Sequence, residues 1–392
     1  MPDDVRNEFL DSVCTILRRG RILAAEPYSI RVETVHKAPF VSLWFRTRGC
    51  RHDARGGCTV CDYGASPDVS PDRMVEAVRE GLRGLPPSFD ATLLLSASGS
   101  MFDDWEVPDS ARERIFELVR QVKTRAIVCE SRAEFITDVG VRDFAAVFED
   151  REVGIGLGLE SADPWLLKFS INKALSLADY VSAVKILRGQ GVASTANVIV
   201  GPPFLTAAEA IDDTIESVRW AFENGVDQCV LFPAHVKRHT LAEWLWRRGM
   251  YAAPSLWSLV RVLYRLGPQM MSDVTISWYK NYYAAAKSEA DFGFASSPAT
   301  CPRCHDSVMS LLDDFRGTGD FEVIEQLEHF ACDCRTSWEE SLEVVPELSR
   351  VRRAAEAYEL LGRDLLPQGW WDVHGAAVLA EVDGMKVHEC EG

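Results

Sequence analysis

Arg48-Gly-Cys50-Arg-His-Asp-Ala-Arg-Gly-Gly-Cys58-Thr-Val-Cys61-Asp-Tyr63-Gly64 sets three thiols at C-x7-C-x2-C spacing on a glycine-bearing loop. The loop follows the apolar run Val41 to Phe45, so the cysteines fall just past the C-terminal end of a predicted strand. The same unit, a short β-rich run followed by an amphipathic helical stretch, recurs along the chain. The later runs are Thr92 to Leu95, Ala126 to Cys129, Val153 to Leu159, Ala193 to Val200 and Gln228 to Phe232. This alternation predicts an α/β chain, a partial (βα)6 barrel of the TIM type with its chemistry at the strand C-terminal ends.

Two of the intervening helices have readable starts. Ser70 followed by Pro71 reads as an N-cap with proline at the first helical position, and Met74, Val75, Val78 and Leu82 fall on one face. Thr206-Ala-Ala-Glu209 reads as a capping box, with Ile211, Ile215, Val218 and Phe222 as the buried stripe. Beyond about residue 240 the texture changes to a tryptophan-rich helical segment, Thr240 to Tyr264, then a loop from Asp291 to Ala299. The expected organisation is an N-terminal helical extension over 1–35, the barrel over 36–290, and a C-terminal cysteine-rich, mainly helical, metal-binding module over 291–392.

With 392 residues and 47% hydrophobic content, the chain can bury one large core and carry such a module. The first 30 residues lack a signal-peptide apolar core, and no apolar run approaches the roughly 20 residues of a membrane span. A soluble cytoplasmic protein without membrane contact is expected. In that setting seven of the eleven cysteines, in two tight groups, favour metal over disulfides. Cys14, Cys129, Cys229 and Cys390 read as ordinary core or tail cysteines. The formal net charge of −17 argues against an autonomous electrostatic hold on nucleic acid. A solvated helix face explains each of the basic pairs Arg18/Arg19, Lys237/Arg238, Arg247/Arg248 and Arg352/Arg353 as well as a ligand site does, and Trp370, Trp371 and His374 read as packing.

Three cysteine ligands, not four, is the informative count in the first group. A 4Fe-4S cluster held by Cys50, Cys58 and Cys61 leaves one iron open to chelate the amino and carboxylate groups of S-adenosylmethionine (SAM). One electron then splits the sulfonium to methionine and a 5′-deoxyadenosyl radical. The competing reading is a zinc loop, whose fourth ligand would be His52, Asp53 or a distant residue.

The later strand ends carry polar groups that suit such a site. Ser98-Gly99-Ser100 follows the second run, where a small turn lets backbone approach a ligand amine. Glu130-Ser131-Arg132 follows the third and Glu160-Ser161 the fourth, and Asn197 lies in the fifth. Ser98, Gly99, Ser100, Glu130, Ser161 and Asn197 are the cofactor-binding candidates, because carboxylates accept from ribose hydroxyls or an ammonium, and arginine forks onto carboxylates.

At these residues the chain resembles a known family, the radical SAM subunit of archaeosine synthase, and more distantly the Elp3-like radical SAM proteins. The resemblance runs from about residue 35 to 340. It is carried by Arg48-Gly-Cys50, Gly57-Cys58-Thr-Val-Cys61-Asp-Tyr63, Ser98-Gly-Ser100 with Phe102-Asp103, and Glu106-Val-Pro108. Further carriers are Glu130-Ser-Arg132 with Glu134-Phe135, Gly158-Leu-Glu160-Ser161, Ile171-Asn-Lys173, Pro202-Pro-Phe204-Leu-Thr206 and Pro254-Ser-Leu-Trp257. The resemblance implies a radical SAM barrel in which Cys50, Cys58 and Cys61 hold the cluster and Ser98 to Ser100 line the methionine part of SAM. It also implies a lyase acting on a lysine adduct of a 7-deazaguanine nitrile in tRNA, cleaving the lysine side chain's C–N bond. Glu160, Lys173 and Arg132 are then the catalytic candidates, gripping the amino-acid end of the substrate.

The acidic charge tips the expected substrate toward a small amino-acid conjugate or natural-product intermediate, with tRNA as the alternative. An electron donor such as flavodoxin or ferredoxin is the expected partner. In the second group, Cys301-Pro-Arg-Cys304-His305 and Cys332-Asp-Cys334 supply the four thiolates of a structural zinc site, with an auxiliary iron–sulfur cluster as the alternative. Phe330 and Trp338 are expected to pack around it, and His305 is a spare ligand. A non-catalytic zinc-binding interaction protein, with both cysteine groups structural, is the competing class.

Overall fold

The computed structural model describes residues 5–21, 26–64, 69–86, 88–281 and 294–385. All six predicted runs are strands: β2 Ala38–Phe45, β3 Thr92–Ser96, β4 Ala126–Ser131, β5 Glu152–Glu160, β6 Ala193–Val200 and β7 Gln228–Pro233. Each pairs in parallel with the next, from β2 through β7. At one edge β1, Tyr28–Val35, adds antiparallel to β2, and at the other β9, Val274–Ile276, adds parallel to β7. The described sheet is thus eight-stranded with β1 and β9 at its two edges, a partial rather than closed barrel.

Successive strand residues point to opposite faces, and that alternation separates core from lumen. Leu43, Leu95, Cys129, Ile155 and Leu157 face outward into the helices and are fully buried. Their neighbours Ser42, Ser96, Glu130, Gly156 and Asn197 line a cavity of about 1130 Å³ inside the barrel. Gly154 and Gly156 put no side chain on the inner face at the middle of β5. A helix layer covers the outside. Helix α2, Pro71–Arg83, starts at the Ser70 cap and buries Met74, Val75, Val78 and Leu82 as predicted. The capping box opens α6, Ala207–Glu223. Cys14, Cys129 and Cys229 are buried core residues, whereas Cys390 lies outside the described residues.

Two segments and two side chains differ from the sequence reading, and Phe294–Ser296, inside the expected loop, pairs as a short strand. Tyr28–Val35, placed by sequence in a helical extension, is a strand. Its residues alternate half-buried and exposed, so no continuous apolar run marks it. The stretch from Thr240 to Tyr264 is not one helix but α7, Leu241–Trp246, and α8, Leu256–Leu266. Gly249 takes a left-handed turn at φ +70° and Pro254 follows, so the helix cannot run on. Arg18 and Lys237 are not on solvated faces but are engaged at the cysteine loop. The expected boundary near residue 290 lies outside the described residues.

The C-terminal part consists of α9 His305–Thr318, α10 Phe321–Glu328, α11 Asp333–Leu342, α12 Arg350–Leu365 and α13 Trp370–Gly384. Val308, Leu312 and Phe315 of α9 belong to the same apolar core as the barrel. From the end of α9, Arg316 spans the open side of the sheet, pairing with Glu33 of β1 at 2.9 Å and donating to the Ile276 carbonyl of β9. A second core joins α1, Glu8–Leu17, to α12 and α13 through Phe9, Tyr358 and Trp371. No described helix is long and apolar enough to cross a membrane.

Candidate iron–sulfur and cofactor site

The cysteine loop leaves β2 at the C-terminal edge of the barrel and is held by backbone-level contacts. The Cys61 amide turns back onto the Cys58 carbonyl at 3.3 Å. Between them, Thr59 donates its hydroxyl to the Ser170 carbonyl at 2.6 Å and its amide to the Ile171 carbonyl at 2.9 Å. Asn172 Nδ2 donates to the Gly57 carbonyl at 3.0 Å. The Cys58–Cys61 hairpin is therefore fastened to the segment after β5, the one that carries Lys173.

The two nearby residues that a zinc loop would recruit are already engaged. His52 is buried with Nε2 2.6 Å from the Asn172 carbonyl, and burial lowers its pKa well below the ordinary range. Asp53 takes a two-pronged hydrogen bond from Arg21, at 3.0 and 2.7 Å, and pairs with Arg18 at 3.0 Å. Among the described residues, the one set of possible ligands gathered as closely as a single ion demands lies elsewhere, at the C-terminal cysteines. Three free cysteines without a fourth, not drawn together around one point, suit a cluster whose thiolates each sit on a different iron. Burial pushes the Cys50 thiol up to about 12 and the Cys58 thiol up to about 11. Arg132 opposes that shift at Cys50 and Lys173 opposes it at Cys58, so the loop is set among cations that favour bound thiolate.

Ser98-Gly99-Ser100 lies directly against this loop. A side chain at Gly99 would collide with Cβ of Cys50 and with Glu106, so only glycine allows the approach. Glu106, fully buried, accepts the Gly99 and Ser100 amides at 2.8 Å each and the Thr47 hydroxyl at 2.6 Å. Ser98, Glu130 and Asn197 line the lumen, and Glu130 accepts from the Ser96 hydroxyl. Ser100 is buried against Ser131, their hydroxyl oxygens 2.7 Å apart. Lys173 Nζ and Glu160 Oε1 pair at 2.7 Å, and Arg132 donates to the Lys173 carbonyl at 2.8 Å and to Glu134 at 2.5 Å. Ser161 is not brought to the lumen. Its hydroxyl donates to Asp213 of α6 at 2.7 Å on the outer side of the sheet.

Sequence reasoning missed Glu106, which it quoted inside a motif without a role, and also Asp62 and Lys237. The latter pair at 2.8 Å beside Cys61, with the lysine over the Tyr63 ring. Lys237 is held in a two-stranded ribbon of β8, Val236–Lys237, and β10, Phe294–Ser296, with no signature that ties it to a cysteine far upstream.

At the second group, the sulfur atoms of Cys301 and Cys304, Cys301 and Cys332, and Cys304 and Cys334 stand 3.6, 3.6 and 3.5 Å apart. All four lie within 4.8 Å of one another, and His305 is outside the set. Trp257 donates its indole N–H to Cys334 at 3.4 Å, and Phe330 packs on Trp257.

No family model matches the chain. Over 303 residues it is 28% identical to archaeosine synthase subunit beta of Thermococcus kodakarensis, covering 75% of this chain and 88% of that one. The corresponding subunit of Methanosarcina acetivorans is 26% identical over 310 residues, covering 76% and 84%. The chain resembles the archaeosine synthase beta subunit. This is the resemblance its motifs carry, found over three quarters of its length, and an uncharacterized protein of Methanocaldococcus jannaschii matches to a similar extent, 26% over 317 residues. Solved structures align loosely. They include methylornithine synthase, at TM-score 0.43 and 14% identity over 85% of this chain and 91% of that one. Elp3 of Methanocaldococcus infernus aligns at TM-score 0.40 and 16% identity over 54% of each chain.

Proposed function

We propose that the chain is a radical SAM enzyme of the archaeosine synthase beta-subunit kind, acting on a 7-deazaguanine base in tRNA. Its similarity to two such subunits over three quarters of its length is the observation that carries this reading. It displaces the expectation of a small-molecule substrate drawn from net charge. Charge summed over a whole chain says little about one cavity, and the lining of this one carries as many arginines as carboxylates.

Cys50, Cys58 and Cys61 would hold a 4Fe-4S cluster, which when bound supplies the electron that cleaves SAM to methionine and a 5′-deoxyadenosyl radical. The chain's own contribution is placement. The Ser98–Ser100 turn, fixed by Glu106, lies within reach of the cluster loop for the methionine end of SAM, and Glu130 and Asn197 offer acceptors deeper in the lumen. A cavity of about 1130 Å³ exceeds the roughly 300–1,000 Å³ of a single-ligand pocket, leaving space for a second reactant. The Lys173–Glu160 pair, beside Cys58, would take the charged amino-acid end of a lysine adduct whose C–N bond is cut. The reading places the enzyme in the cytoplasm with a flavodoxin- or ferredoxin-like donor.

At the C-terminal cysteines a single tetrahedral ion fits better than an auxiliary cluster. Four thiolates about 2.3 Å from one ion stand about 3.8 Å apart, close to the observed spacing. Zinc is the reading that chemistry supports best.

The test is 5′-deoxyadenosine release by the reduced, reconstituted protein, with the lysine–deazaguanine adduct offered in tRNA and as free base. Stimulation by the tRNA form is expected. Stimulation by the free base alone would return the assignment to small molecules.

A further inference from the structure

Arg18, the C-cap of α1, approaches the cysteine hairpin from outside the barrel. Its Nη2 donates to the carbonyls of both Cys58 and Cys61, at 2.8 and 2.9 Å. The side chain is only 7% exposed, and Nη1 lies 3.0 Å from Asp53. The fit is a built one. Gly57 has φ +73°, and a Cβ there would run into the guanidinium. Gly56, at φ +121°, stands likewise against the Asp11 backbone, and Asn172 joins Asp11 to the Gly57 carbonyl at 3.0 Å each. The helix itself is anchored at its other end, where buried Asn7 donates to the Tyr358 hydroxyl at 3.2 Å and that hydroxyl donates to the Phe169 carbonyl at 2.7 Å.

Metal ligands take their orientation from the groups that hold them, and iron–sulfur potentials follow nearby charge, hydrogen bonding and burial. We propose that Arg18 is a positioning residue for the cluster, fixing the Cys58–Cys61 hairpin in its ligating shape and favouring the reduced, more negative cluster. This rests on the cluster reading above. Asp53 tempers the effect, since it faces both Arg18 and Arg21. Removing the arginine charge therefore makes reduction harder, and removing the aspartate charge makes it easier.

The experiment uses full-length wild type, Arg18→Gln, Arg18→Lys and Asp53→Asn, reconstituted anaerobically. It reads iron per chain, midpoint potential by spectroscopically monitored titration, and the rate of iron loss to a chelator. Arg18→Gln should lose iron about tenfold faster, the lower end of the usual cost of removing an outer-shell partner, and shift to a more negative potential. Arg18→Lys should fall between it and wild type. Asp53→Asn keeps the carbonyl bonds and should shift the potential the opposite way, which a purely structural role does not produce. It also decides the matter should Arg18→Gln not fold, since an unshifted potential there overturns the proposal. A wild-type cluster with an indistinguishable Arg18→Gln overturns the Arg18 role alone. Wild type that takes up no iron at these cysteines overturns the cluster reading as well.

Discussion

Glu106 accepts the Thr47 hydroxyl at 2.6 Å, and through that bond one buried carboxylate ties the start of the cysteine loop to the turn after β3. In Glu106→Gln an amide N–H would face one of three donors, at a cost of roughly 1–3 kcal/mol. The turn should loosen while the cysteines stay in place. SAM affinity, measured by equilibrium binding to the reconstituted protein, is expected to fall about tenfold or more with iron content unchanged. Equal affinity would remove Glu106 from the site.

Burial raises the Glu106 carboxyl from 4.5 to about 7. Folding then takes up a proton between those values, so the stabilisation it links is complete below about pH 4.5 and lost as pH rises through about 7. Asp213, raised to about 7 by burial, has the same sign. The thermal midpoint of wild type relative to Glu106→Gln should decline from pH 5 to pH 8, and a constant difference would contradict the raised value.

Lys173 is buried and pairs at 2.7 Å with the half-buried Glu160, so losing the carboxylate leaves a buried ammonium uncompensated. Glu160→Gln should destabilise the fold by about 3 kcal/mol and Lys173→Met by less, and the double variant Glu160→Gln/Lys173→Met by less than the sum. Denaturant unfolding of the four proteins measures the coupling. Additive losses would mean that the pair is not coupled.

The compact C-terminal cysteines should hold one zinc per chain. Cys332→Ser should lose that metal and lower the thermal midpoint, because Cys304 caps α9 and the helix packs in the barrel core. Elemental analysis of the purified protein reads both the ion and its count. Several irons at these cysteines would instead establish an auxiliary cluster.

The six parallel strands and the cysteine loop were legible because each signal is local: an apolar run, a turn, a fixed thiol spacing. β1 was not, since its alternating half-exposed residues carry no run. Ser161 reads in sequence as a cofactor-binding candidate because it follows the strand directly. Glu160, however, sits at φ +67° with a register shift between Gly158 and Glu160, which turns the next side chain toward α6. Arg18 and Lys237 read as surface charges because their partners, the Cys58 and Cys61 carbonyls and Asp62, lie far off in sequence and meet them only in the fold.

The proposed function requires that Cys50, Cys58 and Cys61 hold a cluster that binds SAM. The most direct measurement is the electron paramagnetic resonance spectrum of the reduced, reconstituted protein with and without SAM, for wild type, Cys58→Ala and Cys332→Ser. The expected result is a 4Fe-4S signal that changes on adding SAM, persists in Cys332→Ser and vanishes in Cys58→Ala. A signal indifferent to SAM, or one that survives loss of Cys58 and disappears with Cys332, would mean that these three cysteines do not hold a SAM-binding cluster.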